Sequence, residues 1–182
     1  GRGSFRRKQG HQQPRTITLV VCEGETERAY FESARIHFRL SRTEVVVAES
    51  DKGSAPISVV DSAERKSAEP GGYDKIYCVF DRDQHSSFRK AREKITWLAT
   101  RQQKRVPIAE AISIPCFEFW ILLHFEQTDA SFAGCADVIQ RIRDKHVPGY
   151  VKADAAFCQS LMLKLDGALT NADWVEARAA TN

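Results

Sequence analysis

The sequence predicts an α/β fold: a mostly parallel four-stranded sheet with helices on both faces, followed by an α-helical C-terminal extension. Two observations carry this expectation. Short β-branched, apolar runs alternate with amphipathic stretches four times between residues 16 and 125. Such alternation belongs to parallel sheets whose crossovers are helices. The alternation then stops, and helical spacing separated by loops fills residues 127–182.

Residues 16–21 (TITLVV) are apolar and uncharged, the pattern of a buried strand. A helical pattern starts at Glu25 or Thr26 and runs to about Leu40. Ala29, Ile36 and Leu40, with Tyr30 and Phe31 nearby, are expected on its apolar side. Arg35, Arg39 and Arg42 fall at its C-terminal end, where cations suit the helix dipole. Residues 44–48 (EVVVA) make the second strand. After a loop at 50–54, Pro56 suits the first turn of a helix. That helix runs to about Ala68 on Ile57, Val60 and Ala63, until Glu69-Pro70-Gly71-Gly72 stops it. Residues 75–80 (KIYCVF) form the third strand and end in Asp81-Arg82-Asp83. The next helix runs from Phe88 to about Gln103, with Phe88, Ala91, Ile95 and Leu98 on its apolar face. The fourth strand runs from Val106 or Ile108 to Ile112, and Pro115 opens a helix over residues 116–125. Further helices are expected over 135–145, 153–165 and 172–179, with a break at Pro148-Gly149. The chain thus divides into a basic tail (1–15), an α/β core (16–126) and a helical extension packed on it (127–182).

Composition narrows the function classes. Apolar residues make up 42% and charged residues 28%, ordinary values for a water-soluble globular domain. No apolar run approaches a membrane span and no signal-peptide pattern opens the chain. The chain begins with Gly, and its single Met is Met162, so a trimmed start is expected. The five cysteines are widely spaced with no C-x-x-C, which argues against a zinc ribbon. Three of them sit in or beside apolar runs, where cysteine acts as a small core residue, and the odd count without framework spacing fits a reducing cytoplasm. The net charge of +3 is uneven: residues 1–15 carry five basic and no acidic side chains. Such a tail either docks on phosphate backbones or stays solvated and disordered. Neither a P-loop nor a G-x-S-x-G elbow is present, so ATP hydrolysis by a P-loop and that form of serine catalysis are not expected.

The chemistry gathers where strands end. Glu23, Glu25 and Glu27 fall within five residues at the turn after the first strand, and Asp81 and Asp83 follow the third. Ligands of open parallel sheets sit at the carboxyl ends of the strands. If these two strands are neighbours, both acid clusters face one crevice. Asp81 and Asp83 point the same way in extended backbone. Glu27, one turn inside its helix, looks back over the N-terminus. Converging carboxylates repel one another and are relieved by raised pKa values or by divalent cations. Mg²⁺ accepts a few carboxylates and completes its shell with water and phosphate oxygens. A pair of such ions can clamp the attacking and leaving oxygens of a phosphodiester. E-G-x-x-E or D-x-D alone serves equally well as a helix-dipole or capping feature. Their joint position at two strand ends is the stronger signal. His85 is a candidate proton shuttle or ligand beside the acids, or a turn residue without a role. His124, within an apolar helix, reads as a core histidine. Lys90, Lys94, Arg101 and Arg105 form a stripe flanking the apolar face of the third helix. That stripe suits nucleic-acid steering, or equally a solvated, snorkelling surface.

Three segments in order, VVCEGETE (20–27), VFDRDQH (79–85) and IPCFEFWILLHF (114–125), resemble the RloB-like family. The resemblance spans most of residues 17–152. That family resembles the Toprim group, which includes the OLD-family nucleases and the catalytic domains of topoisomerases and primases. The resemblance implies a Toprim-like fold, with Glu23 as the strand-one glutamate, Asp81 and Asp83 as the D-x-D pair, and Glu27 as a further metal-binding acid. Glu23 would also act as acid or base in phosphoryl transfer. Glu118 and His85 are possible additional ligands. Lys152, in Tyr150-Val151-Lys152, would stabilise charge on the phosphorane. The family commonly has Asn where this chain has Ile114. The implied function is a Mg²⁺- or Mn²⁺-dependent nuclease of DNA or RNA, acting with a partner ATPase in bacterial anti-phage or restriction-linked systems. The alternatives are a non-catalytic Toprim-fold module that docks on an ATPase, and a phosphatase or nucleotidyl transferase using the same acids. A homodimer is compatible with either class.

Overall fold

The computed structural model describes residues 16–49, 55–70, 72–82, 86–100 and 106–180. The basic tail and four candidate site residues, Asp83, His85, Arg101 and Arg105, lie outside the described residues. The element order is β1 (Thr18–Cys22), α1 (Glu25–His37), β2 (Thr43–Val47), α2 (Pro56–Ser67), β3 (Lys75–Asp81), α3 (Phe88–Thr100), β4 (Ile108–Ser113), α4 (Phe117–Leu122), α5 (Cys135–Lys145), α6 (Ala155–Leu161) and α7 (Leu165–Ala179), with a 3-10 turn at Met162–Lys164 between the last two.

The four strands form one parallel sheet in the order β2-β1-β3-β4. β1 therefore lies between β2 and β3, in register Cys22 opposite Val47 on one side and Val79 on the other. The chain winds outward from β1 to β2, then crosses over β1 to continue as β3 and β4. The reversal leaves a crevice between the carboxyl ends of β1 and β3, the topological switch point of an open α/β sheet.

Side-chain alternation along β1 explains the two layers. Leu19 and Val21 face α2 and α3 in one core, with Val59, Val60, Ala63, Ile76, Phe80, Ala91, Ile95 and Leu98. Val20 and Cys22 face the other core, built from Tyr30, Phe117, Ile121, Leu122, Val138, Ile142, Cys158 and Leu161. α1, α4, α5 and α6 all contribute to this second core, so residues after 126 are continuous with the α/β part. Within it Tyr30 packs edge-on against Phe31, Phe117, Trp120 and His124. His124 is held there as a neutral core residue. Its Nδ1 lies 3.0 Å from the Trp120 carbonyl oxygen and donates to it, so Nε2 accepts from the Tyr30 hydroxyl, also at 3.0 Å. Burial pushes its pKa down.

Several sequence expectations need correction. The buried face of α1 is Thr26, Glu27, Tyr30 and Ser33, whereas Ile36 and Leu40 are exposed. At about 100° per residue Ile36 lies roughly 120° from Tyr30, so the helix turns toward the aromatic cluster and leaves Ile36 outside; the helix ends at His37 rather than near Leu40, and Leu40 lies beyond it. The break expected between 165 and 172 is absent, because Gly167 and Asn171 lie inside α7. Asn171 is anchored by donating from its side-chain amide to the Leu123 carbonyl, 2.8 Å away. Cys22, Cys78 and Cys158 are buried free thiols, as core placement predicts. Cys116 and Cys135 instead form a disulfide, which the spacing did not suggest. They are 19 residues apart and meet only because α4 and α5 pack together. No helix among the described residues is long and apolar enough to cross a membrane.

Leu161 of α6 is fully buried in the core shared by α1 and α4. Leu161→Ala is expected to lower the stability of the whole chain by about 2–5 kcal/mol. Urea unfolding followed by far-UV circular dichroism should show one transition moved to lower denaturant. A second, separate transition would mean that the C-terminal helices fold on their own.

Candidate functional site

The site is built from the backbone upward. Past Cys22 the β1–β3 pairing continues for one more bond, from the Glu23 N–H to the Val79 carbonyl at 3.0 Å. The chain then leaves the sheet at Gly24 to begin α1. Opposite, the Asp81 backbone N–H donates to Glu23 Oε2 at 3.1 Å. The two strand-end acids are thus tied to each other across the switch point. Arg82 N–H donates to the Ser113 carbonyl at 2.8 Å and holds the end of β3 against β4.

Glu27 completes the group from inside the first turn of α1. Its Oε2 lies 3.2 Å from the point where a Cβ on Gly24 would stand, so the carboxylate folds back over the glycine turn. A larger residue at position 24 would press on that carboxylate. Glu27 is 6% exposed. Burial raises its pKa to about 7, opposed by a backbone hydrogen bond and by Lys152, and reinforced by the Glu23 and Glu118 charges. Glu25, in the same turn, is exposed and bridged to Arg28 at 2.6 Å, in keeping with a role for the helix dipole alone.

The fourth wall comes from the other side of the sheet's edge. The Ile114–Pro115 bond is cis, and α4 starts two residues later with Glu118 in its first turn. Glu118 is 1% exposed. Lys152 Nζ lies 2.8 Å from its Oε1, with the lysine side chain about half exposed. The Tyr150 hydroxyl faces the same oxygen at 3.5 Å, and its own pKa is pushed up, first by burial and then by the Glu118 charge. Glu23, Gly24, Glu25, Thr26, Glu27, Asp81, Phe117, Glu118 and Lys152 line a cleft of about 220 Å³. The carboxylates of Glu23, Glu27, Asp81 and Glu118 and the ammonium of Lys152 therefore share one small space.

The stripe on α3 is less uniform. Lys90 is exposed. Lys94 Nζ is engaged by Asp61 and Glu64 of α2 at 2.7 and 2.6 Å, which fastens α3 to α2. Between them Arg92 is bridged to Glu110 of β4 at 2.8 Å.

The family model for RloB-like proteins matches residues 18–182. The chain belongs to the RloB-like family. Among curated proteins and solved structures there is no match. In this RloB-like protein the matched region takes in the helices beyond residue 126 as well as the sheet, and Lys152 comes from that part. Sequence reasoning named Glu23, Glu27, Asp81, Glu118 and Lys152, and the fold brings all five into one cleft. It missed the disulfide at the cleft's edge and the pairing of Lys152 with Glu118. The only sequence signal for that pairing is the Tyr-x-Lys segment, which carries no positional information by itself.

The raised pKa of Glu27 makes a signed prediction. The folded protein keeps this proton to about pH 7, while the unfolded chain loses it near 4.5. Its contribution is therefore complete below pH 4.5 and lost as pH rises through 7. Between pH 4.5 and 7.5, metal-free wild type should lose about 2–3 kcal/mol of stability relative to Glu27→Gln. Denaturant melts of both proteins across that range measure the difference. A difference that does not change with pH would show that Glu27 ionises freely.

Proposed function

We propose that this chain is a divalent-metal-dependent nuclease that cleaves phosphodiester bonds of DNA or RNA, and that it works in a bacterial anti-phage or restriction-linked system beside a partner ATPase. The observation that carries this reading is the hydrogen bond from the Asp81 N–H to the Glu23 carboxylate, which joins two strand-end acids at the switch point of a parallel sheet. The strand order and the two acidic turns together support a Toprim-like catalytic centre.

The donor set fits a hard cation. Glu23, Glu27 and Asp81 offer only carboxylate oxygens, which suit Mg²⁺ or Mn²⁺ better than a thiolate-seeking metal. Asp83 follows Asp81 closely in sequence and is assigned to the same group. When bound, such a cation polarises a phosphodiester and makes water a stronger nucleophile. The protein's own groups divide the remaining work. Glu23 is the general base or acid for the attacking or leaving oxygen. Lys152 presents a half-exposed ammonium to negative charge growing on the phosphate. Glu118 touches Lys152 rather than substrate and positions it. The crowding of buried acids supports the need for a cation: burial first, and then the Glu23 and Glu118 charges, push the Glu27 pKa up to about 7.

The test has two stages. Mn²⁺ is expected to raise the melting temperature of the wild type, and Asp81→Asn to abolish that rise. No shift in a well-folded wild type removes the metal site. Plasmid, single-stranded DNA and tRNA are then incubated with Mn²⁺, with and without the partner ATPase. Cleavage is expected to fall at least 100-fold in Glu23→Ala. A metal-induced shift without cleavage in any of these mixtures would favour the non-catalytic, ATPase-docking module.

A further inference from the structure

The Cys116–Cys135 disulfide lies against the acidic cleft. Cys116 is the residue before α4, Cys135 the first of α5, so the bond ties the helix that carries Glu118 to the C-terminal helices. Cys135 Sγ is 3.0 Å from Glu118 Oε2, and Lys152 Nζ is 3.9 Å from the same sulfur. Cys116 is nearly inaccessible, while Cys135 is half-buried. A disulfide sulfur has no proton to donate. In this state the buried Glu118 carboxylate is balanced at its other oxygen by Lys152, with the Tyr150 hydroxyl farther off.

We infer that the Cys116–Cys135 pair is a redox-modifiable site that sets how tightly Glu118 holds Lys152. A small dithiol is the reductant class. Its thiolate attacks the sulfur of Cys135, the less buried of the pair, and expels Cys116 as thiolate, which takes up a proton. The second thiol of the reagent then closes on the mixed disulfide and releases Cys135. The dithiol leaves as a cyclic disulfide and the protein gains two thiols, so two electrons and two protons are transferred. The Cys135 sulfur, 3.0 Å from Glu118 Oε2 in the disulfide form, then carries a proton that it can donate to that carboxylate. A buried carboxylate with a second donor depends less on its ammonium partner. Lys152, already half exposed, is released toward the cleft.

A soft-metal site is the competing use of the same atoms, since Cys116, Cys135 and Glu118 offer ligand atoms within 4.8 Å of one another. The Lys152 ammonium weighs against it, because it lies beside both Glu118 and Cys135 and would repel a dication.

The inference rests on the cleft described above but not on its being a nuclease, so the readout is Lys152 itself. The full chain is labelled with an amine-acylating reagent, oxidised or after dithiothreitol, and modification of each lysine is followed by peptide mass spectrometry. Lys152 is expected to react several-fold faster in the reduced protein, with other lysines unchanged. Cys135→Ser retains a donor and cannot form the disulfide, so it should label fast in both conditions. Cys135→Ala has no donor and should label slowly in both. Equal Lys152 rates in oxidised and reduced wild type, with the disulfide verified by mass, overturn the inference. So does a Cys135→Ala protein that labels as fast as Cys135→Ser. A thiolate-to-cobalt absorption band on adding Co²⁺ to reduced protein also overturns it, in favour of the metal site.

Discussion

Everything at the cleft depends on how β1 and β3 end beside each other. β1 ends at Cys22, level with Val79, and β3 runs two residues further to Asp81, so Glu23 and Asp81 come out at adjoining strand ends. There the Asp81 backbone amide donates to the Glu23 carboxylate. This satisfies a backbone donor at a sheet margin, where an unmet donor is costly. It also fixes one carboxylate within reach of the other. The electrostatic crowding of the site follows from a hydrogen-bonding requirement of the fold.

That crowding spreads outward. Glu27 cannot turn away, because its helix buries it on the same face as Tyr30; that burial, and after it the nearby Glu23 and Glu118 charges, raises its pKa to about 7. Glu118 is even more deeply buried and is met by Lys152 from the C-terminal helical part. The chain beyond residue 126 therefore does two jobs. Its helices close the core on the α1 side of the sheet, and the turn between α5 and α6 supplies Lys152, the only cation that lines the cleft among the described residues. A chain with the sheet alone would leave Glu118 buried without its ion-pair partner, an arrangement proteins avoid.

Much of the fold is legible in the residues. Val20 and Cys22 alternate with Leu19 and Val21, and a strand with apolar residues on both faces must be central. Pro56 and Pro115 mark helix entries, and the Gly24 turn marks the exit from β1. Other features resist such reading. Ile36 and Leu40 have the spacing of a buried stripe yet are exposed, because the aromatic cluster around Tyr30 sets the rotation of α1 and the helix ends at His37, before Leu40. Lys94 belongs to a basic stripe by helical geometry, yet two acids from α2 engage it. Periodicity describes one helix at a time and contains nothing about the neighbour's charges.

The sequence by itself determined the alternation of strands and helices, the acids at Glu23, Glu27 and Asp81, and membership of a family whose motifs occur here in order. These are local properties, set by backbone propensity and by side-chain period over a few residues. The tertiary structure alone decided that β3 rather than β2 delivers the second acid to Glu23, that Lys152 closes on Glu118, and that Cys116 meets Cys135. Each of those contacts joins segments 19 to 58 residues apart. They form only where the crossover helices and the shared core bring the chain together, and that depends on the packing of many side chains at once.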